Sequence, residues 1–288
     1  MAQRRRTGKR RPARSTAGRR RAGEQGSSSA RLKRWLRRGS SLGPRLARLP
    51  KLAWALIAVV LLVGVNYAVQ VVRKPTELLG LVFAPAPLSA EQTWARYAAE
   101  VRENGTDVIR PELLAALIQV ESAGDPYART YWRWRWTLDP FRVYAPASSA
   151  VGLLQITDGT FDEAKRYCIH DHRVVRDDGP LLDSCWLNGF YFRTVPGHAI
   201  EMTSALLHVQ VSEALRGHQA AAAPAARRDA LAAVIHLCGR GRAAAFAANG
   251  FRPRPGERCG DHDLGGYLER VRVLAAQFER MGGEGGRR

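Results

Sequence analysis

Residues 111–122 read Pro111-Glu-Leu-Leu-Ala-Ala-Leu-Ile-Gln-Val-Glu121-Ser122, a short helical segment with a carboxylate on its apolar face. Positions i, i+3, i+4 and i+7 of that face are occupied by Leu114, Leu117, Ile118 and Glu121. Burial favours the neutral acid and raises the pKa of a carboxyl group, which produces a proton donor near neutral pH. The segment therefore predicts a catalytic acid at Glu121. The competing interpretation is that the helix ends at Gly124-Asp125-Pro126 and the carboxylate faces solvent.

An uncharged segment of 21 residues, from Leu52 to Val72, has the length and composition of a membrane-spanning helix. Before it, residues 1–51 carry 18 Lys or Arg and one acid, so the tail holds +17 of the overall charge of +19 and leaves +2 for the remainder. Basic residues before a span indicate a cytoplasmic N-terminus, and a basic tail without an aliphatic run is predicted to be disordered. A cleaved signal peptide and a buried core helix fit this long basic leader less well. Asn66 and Gln70 weaken the outer end of the span, and we expect them at the membrane interface.

The four cysteines, Cys168, Cys185, Cys238 and Cys259, all follow the span and form an even set in a compartment that permits oxidation. Three pairings are possible, and proximity in sequence favours Cys168 with Cys185 and Cys238 with Cys259. Nearby histidines make zinc the competing interpretation. The spacing matches no standard zinc pattern and contains no Cys-x-x-Cys pair, so we predict structural disulfides and no metal or other cofactor.

The apolar pattern after the span predicts an all-α, mainly helical fold. We expect a Pro-rich spacer at residues 73–90, a folded domain at 91–282 and a flexible C-terminal tail at 283–288. Predicted helices cover residues 91–104, 111–122, 160–168, 198–215, 227–238 and 263–278. Pro111 suits a first helical position, and Thr160-Phe-Asp-Glu163 has the pattern of a capping box.

An insertion at residues 129–146 alternates rings and cations, as in Tyr131-Trp-Arg-Trp-Arg-Trp136. Rings beside Arg groups are typical of a stacking platform for sugars. Packing in the domain is an equal alternative, because Trp is commonly half buried. Docking at lipid headgroups, where Trp is enriched, is a third interpretation that we favour less.

Downstream lies Ser148-Ser-Ala-Val-Gly152-Leu-Leu-Gln155-Ile-Thr157. With Glu121-Ser122, this stretch resembles the soluble lytic transglycosylase (SLT) domain of the lysozyme-like superfamily, whose motifs are a helix ending in Glu-Ser and a Gly-Leu-Met-Gln-Ile sequence. The resemblance implies a lysozyme-like fold with Glu121 as the catalytic residue. It also implies substrate contacts for the following residues: Ser122, Gly152, Leu153, Gln155 and Ile156. Each has a structural alternative, such as a plain turn for Gly152 and backbone hydrogen bonding for Ser122 and Gln155.

The resemblance extends to the C-terminal part of the chain, where two residues differ from the family pattern. A family Ala-Tyr-Asn-Ala-Gly element corresponds to Val234-Ile-His236-Leu237-Cys238-Gly239, and Gly266-Tyr267-Leu-Glu-Arg-Val271 resembles the closing helix. His236 and Leu237 stand where the family has the Tyr that positions the acid and the Asn near the sugar. His236 and Tyr267 are therefore further candidates for substrate binding, and the group that orients Glu121 is left open.

The family cleaves the β-1,4 bond between N-acetylmuramic acid and N-acetylglucosamine, without cofactor or metal, and leaves a 1,6-anhydro end. One carboxylate suffices, because assistance by a substrate acetamido group is an accepted exception to the two-carboxylate rule. Asp125 and Asp158 are available as a second carboxylate, and their turn positions favour structural roles. A lysozyme-type hydrolase is thus one alternative, and a non-catalytic peptidoglycan-binding or assembly scaffold is another.

The predicted partners are peptidoglycan glycan strands and the inner (cytoplasmic) membrane, with the N-terminus cytoplasmic and the folded domain periplasmic. An envelope-spanning assembly, such as a secretion or conjugation machine, is a further candidate. We do not expect nucleic acid to be a partner, since topogenic charge accounts for the basic tail.

Overall fold

The computed structural model describes residues 50–74, 76–83, 85–139, 141–177, 185–215 and 223–285. Contacts divide the chain into two compact units, Met1–Val65 and Asn66–Arg288. The predictions for the basic tail, except at its last two residues, and for the last residues of the C-terminal tail fall outside the described residues. Residues 283–285 continue the final helix.

Helix α1, Lys51–Arg73, covers the apolar segment predicted from sequence. Within the described ranges it is the one helix long and apolar enough to cross a membrane. It begins directly after Pro50, and proline suits the start of a helix because a backbone N–H there would have no partner within the helix. Most of its aliphatic side chains are exposed.

The second unit is mainly helical, which confirms the predicted fold class. Its helices, besides the end of α1, are α2 (Thr76–Val82), α3 (Ala90–Glu103), α4 (Pro111–Ser122), α5 (Asp158–Ala164), α6 (Pro196–Leu215), α7 (Ala225–Cys238), α8 (Ala243–Ala248) and α9 (Leu264–Gly285). Two short 3-10 helices, Cys185–Phe190 and Arg240–Arg242, join them. Pro111 is the first residue of α4, as predicted.

Among the described residues, three two-stranded antiparallel hairpins interrupt the helices. They are β1 (Trp132–Trp134) with β2 (Tyr144–Pro146), β3 (Tyr167–His170) with β4 (Arg173–Arg176), and β5 (Arg258–Cys259) with β6 (His262–Asp263). In the first hairpin, Arg133 lies opposite Ala145.

The predicted helix at residues 160–168 is wrong at both ends. Its cap is Thr157, whose hydroxyl accepts a hydrogen bond from the Thr160 amide at 3.4 Å, so the capping box predicted at Thr160 does not form. The helix ends at Ala164, and Cys168 lies in β3 opposite Val175. β-branched residues in both strands and the Cys168 disulfide favour the extended chain there.

The core of the second unit surrounds α4. Its residues from Leu113 to Ile118 are all buried, and α4 packs against α3 and α9. A short helix of this length is marginal alone, so tertiary burial, at about 1.5–3 kcal/mol for each large aliphatic side chain, maintains it. A ring pair of Trp94 and Phe278, with centroids 5.5 Å apart, closes the same core between α3 and α9.

The segment expected to be a spacer contains α2, which is bound to the domain. The Glu77 carboxylate is fully buried and pairs with Lys74 at 3.2 Å and Arg129 at 3.6 Å. The indole Nε1 of Trp132 donates to the same carboxylate at 3.0 Å. Removing one member of such a buried network leaves a charge uncompensated, so these contacts hold α2 against the insertion that begins at Arg129.

Candidate active site

Glu121 lies in the last turn of α4, at the point where the core opens into a cleft. Leu114, Leu117 and Ile118 on the same helical face are fully buried, while the Glu121 side chain is 16% exposed. The helix ends just beyond, at Ala123 in the left-handed conformation with φ 48°. The sequence therefore predicted the face correctly, and the carboxylate faces a cleft at its end rather than bulk solvent.

The hydroxyl of Tyr267, on α9, donates a hydrogen bond of 2.6 Å to Glu121 Oε1. Tyr267 is almost completely buried, and burial together with the neighbouring Glu121 carboxylate raises the pKa of its phenol well above the usual range. The phenol therefore remains a donor at any physiological pH. Its hydrogen bond fixes the direction in which the carboxylate points.

His236, at the end of α7, lies farther from the acid. Its Nε2 is 3.8 Å from Glu121 Oε1, beyond hydrogen-bond distance, although both side chains line the same cleft. The group that orients Glu121 is thus Tyr267, which the sequence suggested only as a substrate contact. The tyrosine that contacts Glu121 is thus on α9, whereas the resemblance placed the orienting Tyr at position 236 of α7, where this chain has His236.

The cleft has a volume of about 750 Å³, enough to hold sugar rings. Its walls come from the end of α4, the chain before and along β1, the turn around Gln155, the end of α7, hairpin β5–β6 and the start of α9. Five arginines line it, Arg129, Arg133, Arg242, Arg258 and Arg270, against the carboxylates of Glu121 and Asp261. Arg129 pairs with Glu77 and Arg242 with Glu257, so the remaining excess of positive charge in the lining is small.

The stretch from Gly152 to Ile156 forms a tight turn beside Glu121. Leu153 and Ile156 are buried, and neither lines the cleft. Their apolar side chains pack in the core beneath the turn, and the substrate contacts predicted for these two residues stay predictions. Gln155 does line the cleft, with a positive φ of 46°. Its Nε2 donates to Ala128 O at 3.1 Å and Gly152 O at 3.0 Å, so the amide also holds the turn.

Ser122 connects the two motifs. Its hydroxyl lies 2.7 Å from Leu153 O and 3.1 Å from Ile118 O, so it bonds backbone carbonyls. It is not among the residues that line the cleft. These bonds agree with the structural alternative, in which Ser122 holds the turn against α4, and the substrate contact predicted for Ser122 stays a prediction.

Protein packing alone requires a glycine at position 152, and the substrate contact predicted for Gly152 stays a prediction. Its φ is +82°, and a Cβ there would lie 2.3 Å from Arg193 O and 3.3 Å from Pro126 O. Neither the backbone conformation nor the space accepts a side chain. The close contact at this position is made by the backbone of the chain itself.

The two aspartates considered as second carboxylates have structural partners. Asp125 Oδ1 accepts the Tyr127 amide at 2.8 Å, and burial raises the pKa of Asp125. Asp158 pairs with Arg193 at 2.8 Å. Neither residue lines the Glu121 cleft. Asp125 lies in a turn, as predicted, whereas Asp158 is the first residue of α5 because the helix is capped at Thr157.

Asp261 is the cleft carboxylate that the sequence did not identify as a site residue. It follows Cys259 in hairpin β5–β6, accepts a hydrogen bond from the Tyr131 hydroxyl, and lies 3.9 Å from Arg133. The hydrogen bond from Tyr131 lowers the pKa of Asp261, so it is ionised. These contacts join the insertion to β5–β6 across the two rims of the cleft. The sequence contained no local signal for a pairing between residues so distant.

Both disulfides form as proximity in sequence suggested, Cys168–Cys185 and Cys238–Cys259. All four thiols are therefore committed, and in the part of the chain that the structure describes no group of three or more potential ligands is arranged around a metal position. Cys238 and Cys259 also line the cleft, so the second disulfide is part of its wall.

Residues 102–226 match the family model described as the Transglycosylase SLT domain. The match includes Glu121, Ser122 and the turn from Gly152 to Ile156, and it ends before His236 and Tyr267. No curated protein matches the chain.

Proposed function

We propose that the chain is a membrane-anchored peptidoglycan lytic transglycosylase with Glu121 as its single catalytic carboxylate, because residues 102–226 match the Transglycosylase SLT domain. The domain match supports the assignment of the chain as an enzyme that cleaves the glycan strands of peptidoglycan. The observation that carries the finer proposal is the 2.6 Å hydrogen bond from Tyr267 to a mostly buried Glu121 that lines a cleft of sugar-binding size.

In the proposed reaction Glu121 first acts as an acid. Its proton passes to the oxygen that leaves with N-acetylglucosamine, while the bond from that oxygen to C1 of N-acetylmuramic acid breaks and C1 gains oxocarbenium character. The resulting Glu121 carboxylate then accepts the proton of the muramoyl 6-hydroxyl as its oxygen closes on C1. The product is a 1,6-anhydro end, no water is consumed, and Glu121 regains its proton.

The lining of the cleft favours transglycosylation over two-carboxylate hydrolysis. Asp261 is the second carboxylate on the described cleft surface, and it is engaged by Tyr131 and Arg133 at the rim. A hydrolase of the usual kind requires a second carboxylate to activate water or to attack C1. A carboxylate committed to a bond between the two rims is poorly placed for either task.

Mass analysis of the products distinguishes the candidate functions. Sacculi digested with the full chain are expected to yield muropeptides with anhydro ends, each lighter by one water than the corresponding reducing end. Reducing ends would identify a lysozyme-type hydrolase instead. Glycan binding without any product would identify the scaffold alternative.

We expect Tyr267→Phe to lower the rate of glycan cleavage by roughly 10- to 150-fold, because a hydrogen bond to a charged group contributes about 1.5–3 kcal/mol. The loss should appear in kcat with little change in KM, since Tyr267 contacts the acid that reacts. Steady-state release of anhydro-muropeptides measures both constants.

Tyr97→Phe is the matched control for this prediction. Tyr97 is equally buried, and its hydroxyl donates to Gly124 O at 2.9 Å rather than to Glu121. If the two variants lose the same small amount of kcat, Tyr267 does not position the acid.

For the location we propose a single-pass protein of the cytoplasmic membrane, with the basic tail inside and the cleft in the periplasm. The support is the apolar helix α1, the positive charge before it, and a substrate that lies outside that membrane. Protease added to spheroplasts should digest residues after 73 and spare the tail. Digestion of the tail with protection of the C-terminal domain would refute this topology.

A further inference from the structure

The outer end of the apolar segment lies against hairpin β1–β2 within the second unit. The Asn66 amide donates to Tyr144 O at 2.9 Å, and the buried Gln70 amide donates to Phe141 O. The Tyr67 ring stacks on Trp132 with centroids 5.8 Å apart. The amide nitrogens of the two polar side chains that weaken the span in the sequence therefore donate to hairpin carbonyls, as donors at membrane depth require.

These contacts place the hairpin beside residues 66–70, which are the last turns of the proposed span. The helix rises about 1.5 Å per residue, so Asn66 lies on the order of 10 Å before Arg73 along the helix axis. Tyr144 is held at the height of Asn66 and Phe141 at the height of Gln70. If Arg73 is at the headgroups, the hairpin reaches the level of the bilayer surface or below it.

Side chains on the two faces of β1 differ in their surroundings. Trp132 contacts Tyr67 and the buried Glu77, and Trp134 lies against Tyr144 with centroids 4.7 Å apart. Arg133, between them, lines the cleft. The alternation of rings and cations in the sequence therefore reflects the two-residue period of a strand. Trp132 on one face contacts the end of α1, and Arg133 on the other face lines the cleft.

At the end of β1 and beyond it, the hairpin presents large apolar side chains to solvent. Trp136 and Leu138 are fully exposed and Trp134 is 73% exposed. Exposed apolar patches of this kind mark interaction sites, and tryptophan is enriched at the boundary between lipid and water. None of the three lines the Glu121 cleft, so a sugar platform in that cleft does not account for their exposure.

Basic residues surround the same region. A second cavity, of about 460 Å³, opens between the end of α1 and the hairpin, and its charged lining consists of Arg73, Lys74, Arg135, Arg142, Arg193 and Asp158. Arg193 pairs with Asp158 at 2.8 Å, Lys74 with Glu77 and Arg142 with Asp139, so Arg73 and Arg135 carry the net positive charge of the lining. Cations beside exposed tryptophans complement the phosphates of lipid headgroups.

We propose that hairpin β1–β2 is a second membrane contact, in which Trp134, Trp136 and Leu138 enter the outer surface of the bilayer crossed by residues 52–72. The proposal rests on the membrane anchoring described under the proposed function. It also deepens that function, because Arg133 and the residues before it form a wall of the cleft. The cleft is then held at a fixed height, and its substrate is the glycan nearest the membrane rather than any strand within reach of a tether.

The test uses the full chain inserted in vesicles that contain phosphatidylglycerol and lipids brominated on the acyl chains, which quench tryptophan emission on contact. The emission of Trp136 is the difference between the parent and Trp136→Phe. We expect bromolipid to quench most of that difference signal. The same subtraction with Trp186→Phe is the control, because Trp186 is also partly exposed but lies in the 3-10 helix Cys185–Phe190, outside the hairpin.

Three results would overturn the proposal. If aqueous iodide quenches Trp136 emission, and bromolipid quenches it no more than it quenches Trp186 emission, the loop is in water. Emission shielded from both quenchers would place a protein partner, such as a second copy of the chain, on it. Release of the chain from the vesicles by alkaline wash would remove the bilayer contact altogether. None of these readouts depends on catalysis, so product analysis tests the enzymatic proposal independently.

An activity measurement provides a second readout. Trp136→Ser combined with Leu138→Ser should cleave soluble glycan strands at the parental rate, since neither residue lines the cleft. The same variant should lose activity toward strands attached to lipids of its own vesicle. Equal loss on both substrates would indicate a general structural defect and contradict the proposed role.

Discussion

Glu121→Gln is expected to reduce glycan cleavage by roughly 10²- to 10⁴-fold, the usual contribution of a positioned general acid and base. The amide retains the size of the carboxylate, and its oxygen can still accept the hydrogen bond that Tyr267 donates to Glu121 at 2.6 Å. What it loses is the proton that must reach the leaving oxygen and return from the 6-hydroxyl. Release of anhydro-muropeptides from sacculi is the measurement.

Glu112→Gln provides the matched control for the loss of a carboxylate. Glu112 lies in the first turn of the same helix, where its nearest cation is Arg110 at 3.9 Å, and it does not line the cleft. This variant should retain the parental rate. Cleavage by Glu121→Gln at the rate of Glu112→Gln would exclude Glu121 as the catalytic acid.

The largest loss of stability is expected from Gly152→Ala. A non-glycine residue in the left-handed region costs about 1–2 kcal/mol, and forcing an atom into a filled site costs about 1–3 kcal/mol more. At Gly152 the added Cβ would lie 2.3 Å from Arg193 O, a backbone atom that cannot rotate away. For a domain of this size the sum lowers the melting temperature by on the order of 10 °C.

Gly159→Ala tests whether the effect is specific to this position. Nothing lies within 4 Å of a Cβ built on Gly159, which is in α5, and helical Ala is favoured over Gly by up to about 1 kcal/mol. Thermal unfolding of both variants in detergent, followed by near-ultraviolet circular dichroism, gives the comparison. A Gly152→Ala protein as stable as Gly159→Ala would show that the turn relaxes without cost.

The periodic parts of the fold were predictable. Helix α4 has the predicted bounds, and the span and the helical class follow equally from apolar periodicity and length. Local patterns succeed there because the side chains that define them also form the buried face. At Cys168 the same approach failed, because a disulfide and strand pairing overrode a helical pattern of only a few residues.

The candidate site was predictable only in part. Glu121 and Gln155 are identified by their own local sequence, and both line the cleft. Tyr267 lies 146 residues from the acid it contacts, and Tyr131 lies 130 residues from Asp261. Such contacts depend on how helices and hairpins pack, so no local pattern in a single sequence reports them.

The role of hairpin β1–β2 also could not be predicted from local sequence. Its rings and cations permitted three interpretations, because the sequence does not reveal which elements flank β1. The partners of the hairpin are Asn66 and Gln70, which are more than 70 residues earlier in the chain. Only that packing separates Arg133, which faces the cleft, from the tryptophans on either side of it.

The Cys238–Cys259 disulfide joins the end of α7 to the hairpin that carries Asp261, and both cysteines line the cleft. Closing a loop of this length contributes about 3 kcal/mol to stability in the chain-entropy model. Such bonds form in oxidising compartments and are kept reduced in the cytosol. On the topology proposed above, a newly made chain in the cytosol lacks the crosslink that holds this wall together, and the cleft acquires its complete wall only after export.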